Sequence, residues 1–173
     1  MRYVLLALAL PALYLGARLG FPELLPTVAV PSPATSTPFE PMAFFDGETS
    51  GEGTLYRIIG ADKQVSVRSN GVRRPDGALE VTQRIEIEGE EPRTRSWVLS
   101  QVDDRRYEGS LTDATGPVSA FTGGRRMVIG YDTDGTTVRQ TLTQVDEKTL
   151  LNRLDVYKWG LNVARLDEKI TRE

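Results

Sequence analysis

Two arginine–aromatic pairs have the residue types and spacing to hold a ligand. Arg95 lies two residues before Trp97, and Arg153 four residues before Tyr157. On a strand, an even spacing puts both members of a pair on one face. If that face lines an interior, each guanidinium sits among aromatics and needs a partner, because an uncompensated buried charge is strongly destabilising. One partner of the right shape is the carboxylate or phosphate of a bound amphiphile, gripped by the planar fork of arginine. The alternatives are an internal acid, such as Asp155 on the face of Arg153, or a face turned to solvent.

Other chemistry is thinner. Asp103-Asp104, Asp132-x-Asp134 and Glu90-Glu91 pair acids at expected turns, where such side chains bond to nearby backbone and stay solvated. Asp132-Thr133-Asp134-Gly135 opens like a calcium loop, but Thr141 stands where that loop needs its glutamate. Arg73-Arg74 and Gly123-Gly124-Arg125-Arg126 sit at strand ends, where arginines guard exposed backbone, and no glycine-rich loop opens a helix. The 173 residues include neither His nor Cys. This removes histidine triads and metal sites, thiol nucleophiles, disulfides and a lipid-modified cysteine. No Gly-x-Ser-x-Gly turn is present, and a Ser–Lys pair would have to draw on Lys63, Lys148, Lys158 or Lys169. Catalytic residues, metal ligands and cofactors are therefore not expected. A net charge of −3, from 21 basic and 24 acidic residues, argues against a nucleic-acid partner.

The elements that must position these residues have a period of two. Leu79, Val81, Ile85 and Ile87 alternate with Glu80, Thr82, Arg84, Glu86 and Glu88, which is one apolar and one charged face. Val65 and Val67, Trp97 and Leu99, Met127, Ile129 and Tyr131, and Val138 and Leu142 repeat the pattern. Turn residues separate these runs, among them Pro75-Asp76-Gly77, Asp134-Gly135 and Trp159-Gly160. Short strands between closely spaced turns, with no long helical pattern among them, predict an all-β fold: an antiparallel up-and-down barrel of about eight to ten strands. The close of the chain suits either a helix or two strands by its leucine spacing. Strands over Thr149 to Tyr157 and Leu161 to Thr171 would let the last strand return to the first and remove both sheet edges.

The N-terminal quarter is different. Arg2 precedes an apolar run from Val4 to Leu15, which has no polar face for a soluble helix and the length of a signal-peptide core. Residues 1–21 are read as a signal peptide or an uncleaved hydrophobic helical anchor, and residues 22–41 as a proline-rich spacer. Residues 42–173 then form the barrel domain. The export reading makes the membrane a partner through the N-terminal segment.

The string Phe39-Glu40-Pro41-Met42-Ala43-Phe44-Phe45-Asp46-Gly47 resembles the opening of an uncharacterised bacterial family of small exported, lipoprotein-like proteins that is known only as a domain of unknown function. Pro75-Asp76-Gly77-Ala78-Leu79 resembles its early hairpin, and Arg95-Ser96-Trp97-Val98-Leu99 its Arg-x-Trp-x-Leu strand. Tyr107-Glu108-Gly109 resembles its middle. Thr149-Leu150-Leu151-Asn152-Arg153 and Lys158-Trp159-Gly160-Leu161-Asn162-Val163 resemble its close. The likeness covers nearly all of residues 39–173. It implies a lipocalin-like β-barrel in the bacterial envelope and no assigned activity. The chain departs from many relatives in lacking the cysteine that would be acylated.

A barrel of this size is either filled by its own side chains or holds one small ligand. The leading expectation is a non-catalytic barrel binding a small lipophilic or amphiphilic molecule through Arg95, Trp97, Arg153 and Tyr157. A filled barrel acting through its surface is the alternative, and an enzyme acting on envelope lipids is the least supported.

Overall fold

In the computed structural model, which describes residues 38–173, the alternating runs form ten strands preceded by one short helix. The helix α1 spans Pro41–Phe44. The strands are β1 (Gly47–Arg57), β2 (Lys63–Arg73), β3 (Leu79–Ile87), β4 (Arg93–Gln101) and β5 (Arg106–Leu111), followed by β6 (Val118–Gly123), β7 (Arg126–Thr133), β8 (Thr136–Gln144), β9 (Thr149–Lys158) and β10 (Leu161–Arg172). Each pairs antiparallel with the next in sequence, and β10 returns to β1, from Thr49 opposite Arg172 to Arg57 opposite Ala164. The result is a closed all-β barrel. Closure gives every strand two partners and leaves no edge exposed.

Binary patterning decides which side chains enter. In β3, Leu79, Val81, Gln83 and Ile85 are buried while Glu80, Thr82, Arg84 and Glu86 face water. The ambiguous closing segment is two strands, as the barrel requires; one register shift between Asn162 and Ala164 adjusts the pairing. The hairpin joining them turns through Trp159 and Gly160, with φ of 53° and 79°. Two successive positive φ values match the twist of adjacent strands.

The two ends of the barrel differ. At the end holding the starts of β1 and β9, the chain before β1 folds in as a plug. Phe39, Pro41, Met42, Phe44 and Phe45 are buried there, although Phe39 and Pro41 belong to the stretch expected to end the spacer. Pro41 occupies the first helical turn, where its missing N–H costs nothing. The rings of Phe39, Phe44, Phe45 and Trp97 stack edge to face in series, with centroids 6.0, 5.1 and 5.5 Å apart. Each such aromatic buried contributes on the order of 1.5–3 kcal/mol. The opposite end carries the hairpins after β1, β3, β5, β7 and β9. Around it Val65, Val67 and Ile85 form a second apolar cluster with Leu55, Ile87 and Leu166.

The hydrophobic segment expected over residues 1–21 lies outside the described residues, as does most of the spacer. Among the described residues no helix is long and apolar enough to cross a membrane.

Candidate functional site

Between the plug and the far end the inward side chains do not meet. A cavity of about 420 Å³ remains, running from Phe45 on the plug to Arg93, Asp113, Thr133 and Thr136 at the strand ends. That volume lies in the range of small-molecule sites. Most of the wall is apolar, with Val67, Ile85, Trp97, Ile129, Val138 and Leu154 among the contributors. Polar groups interrupt it at the far end, at Gln140 and in two hydrogen-bonded clusters.

The first lies across β2, β3 and β4. Gln83 Nε2 donates to Ser69 Oγ at 3.1 Å, and Arg95 Nε donates to Gln83 Oε1 at 2.9 Å. These are cross-strand neighbours: Ser69 is opposite Gln83, and Gln83 opposite Arg95. The guanidinium also acts on Tyr131. Burial pushes the Tyr131 hydroxyl above its ordinary pKa, and the Arg95 charge and hydrogen bond pull it back. Arg95 is thus held by a neutral hydrogen-bond partner and lines the lumen.

The second lies across β9, β10 and β1. Asn152 Nδ2 donates to Glu168 Oε2 at 2.8 Å, and the two residues are 4% and 5% exposed. Burial pushes the Glu168 carboxyl above its ordinary pKa; the Asn152 hydrogen bond and the Arg95 charge oppose the shift. Gly51 and Gly53 make room for this acid. A Cβ on Gly51 would overlap Glu168 Oε1, and one on Gly53 would overlap the backbone of Asp167.

The four residues expected to bind ligand are therefore divided. Arg95 and Trp97 line the cavity together. Arg153 and Tyr157 sit on the outer face of β9, because Asn152, Leu154 and Val156 take the inward positions. Arg153 has an acid partner, but it is Asp167 at 3.1 Å, which is 3% exposed, rather than Asp155. Asp155 accepts instead from Arg165 Nε at 2.6 Å and Asn162 Nδ2 at 2.8 Å. Tyr157 borders a shallow outer depression with Asp132 and Trp159.

Gln83, Tyr131, Asn152 and Glu168 were missed as site residues. For Glu168 a signal existed: Leu166, Glu168 and Ile170 are two apart, so a strand through them carries an acid on an apolar face. Of the acidic pairs, Asp103 behaves as a turn residue, Glu90 pairs with Lys63 at 2.6 Å, and Asp132 lies within β7. Asp103 accepts the backbone N–H groups of Arg105 and Arg106, which hold its carboxyl below the ordinary carboxylate range. Asp132 accepts from Thr137 within the β7–β8 hairpin. Among the described residues no three acids gather to hold a metal ion.

Solved structures with this shape are distant in sequence. The S-type phycobiliprotein lyase of Guillardia theta superposes with a TM-score of 0.63 at 7% identity, over 76% of this chain and 90% of that one. A protein of unknown function from the DUF3598 family of Nostoc punctiforme superposes with a TM-score of 0.62 at 12% identity, over 82% of this chain and 52% of that one. At these identities the likeness is one of fold. No curated protein sequence matches the chain. A family model described as a protein of unknown function (DUF3833) matches residues 30–172.

Proposed function

We propose, for a chain that belongs to the DUF3833 family of proteins of unknown function, that the barrel binds a small lipophilic or amphiphilic molecule in its lumen and performs no chemistry on it. One observation carries this reading: ten closed strands leave about 420 Å³ unfilled, apolar around most of its wall, with Arg95 lining it. Interiors otherwise pack to the density of organic crystals, so a void of this size is a costly feature in a filled scaffold. The barrel shares its fold with a phycobiliprotein lyase, and that fold is compatible with this reading.

The apolar tail of the ligand lies against Trp97, Ile85 and Leu154, and a polar head reaches the Arg95 fork. The N-terminal apolar run from Val4 to Leu15 supports an exported or membrane-tethered protein on the periplasmic side of a bacterial envelope. A filled barrel working only through its surface fits the lumen less well. An enzyme reading has little support, since Glu168 is paired with an amide instead of a second carboxylate.

Native mass spectrometry after mild extraction, with a screen of envelope lipids, tests the proposal. The expected result is a bound species of a few hundred daltons on the wild-type chain that is lost in Ala164→Trp, a substitution that fills the lumen near its far end. No adduct from any lipid, or an adduct that persists in a folded Ala164→Trp variant, would overturn it.

A further inference from the structure

The lumen holds two acceptor atoms with nothing to accept. Glu168 Oε1 and Asn152 Oδ1 are buried and receive no hydrogen bond. A buried acceptor left unpaired is destabilising, and such groups in native proteins need an explanation. The fold does more than tolerate this pair. Two inward glycines on β1, Gly51 and Gly53, clear the wall on which the Glu168 side chain lies, and a Cβ on either would collide with it or its backbone. Arg95 is close enough to act on the Glu168 carboxyl electrostatically, yet among the described residues the two form no ion pair. Arg95 Nε is instead committed to Gln83. The lumen therefore presents a cationic donor to one side of its interior and two buried acceptors to another.

We infer that the Glu168–Asn152 pair is a subsite for a hydrogen-bond donor on the ligand, so that the molecule bound in the lumen carries an N–H or O–H beside an oxygen acceptor, as a carboxamide head group does. This rests on the reading of the lumen as a ligand site and narrows it. A simple anion would satisfy Arg95 but would bring negative charge toward an acid and leave both acceptors unpaired. A wholly apolar ligand would leave Glu168 Oε1 and Asn152 Oδ1 unpaired and offer Arg95 no acceptor beyond Gln83. A head group with a carbonyl and an N–H satisfies both sides: its oxygen accepts from Arg95, and its N–H donates to the pair at Glu168 Oε1. The Asn152 oxygen remains an acceptor whichever way Glu168 is protonated. Sites built around buried hydrogen-bonding groups discriminate sharply against analogues that lack the matching group.

Displacement of the apolar fluorophore 1,6-diphenylhexatriene from the purified full chain provides the test. Dodecanamide and N,N-dimethyldodecanamide share tail and carbonyl but differ in N–H donors. Dodecanamide should displace the dye at least tenfold more tightly from the wild type. In Glu168→Met that preference should fall to within about twofold, read against the variant's own affinity for the dye. Equal displacement by the two amides in the wild type would overturn the donor subsite and leave lumen binding intact. A preference unchanged in Glu168→Met would do the same. Should that variant not fold, the wild-type comparison decides alone. If neither the dye nor either amide binds, the subsite falls together with the reading of the lumen as a ligand site.

Discussion

Arg95 and Glu168 owe their properties to what surrounds each side chain, and that part of the site is hardest to read from a sequence. Even spacing correctly paired Arg95 with Trp97 on one face. The same rule paired Arg153 with Tyr157, also correctly, but could not say that their face is the outer one, because a shift of one residue inverts every assignment on a strand. Glu168 has a measurable consequence. Its carboxyl is raised above its ordinary pKa of 4.5 by burial, so the folded protein binds this proton more tightly than the unfolded chain does. Stability from this group is then fully present below about pH 4.5 and is lost as pH rises through the raised value. Relative to Glu168→Gln, which cannot titrate there, the ligand-free wild type should lose stability as pH rises through that window. The slope cannot exceed about 1.4 kcal/mol per pH unit, the limit for one proton. Urea titrations of both proteins at a series of pH values would show it, and parallel curves would contradict the assignment.

At the scale of elements, period-two patterning located the strands because half-buried strands need that alternation and no long helix competes. The closing leucines suited two structures, and only pairing with β1 and β8 settled them as strands. The plug was not legible. Four helical residues after a run of prolines carry almost no periodicity, and what fixes them is contact with the barrel end. Gly71 shows how close that contact is: a Cβ there would overlap the carbonyl oxygen of Phe45. Gly71→Ala should therefore destabilise the protein by about 3 kcal/mol. Gly130→Ala, where a Cβ meets nothing within 4 Å, should change stability by no more than about 0.5 kcal/mol. Chemical denaturation of the two variants side by side checks this, and equal effects would mean that the plug is free to move aside.

For the molecule as a whole, the decisive contact joins the ends of the chain. β10 closes the ring by pairing with β1 through nine residue positions, and it also carries Glu168 into the lumen. Ending the chain at Gly160 should leave β1 and β9 as open edges. The product should aggregate or lose its cooperative thermal transition; a monomeric, sharply melting product would show that the ring is not the folding unit. The sequence by itself determined the strand class, the turns, the lack of histidine and cysteine chemistry, and the pairing of Arg95 with Trp97. These depend on residue type and near-neighbour spacing, which are local properties of a chain. Tertiary structure alone decided which faces point inward, that the lumen stays unfilled, and that Glu168 meets Asn152 and faces Arg95 there. Those outcomes depend on strand register and barrel circumference, which exist only once residues distant in sequence are hydrogen-bonded into one closed ring.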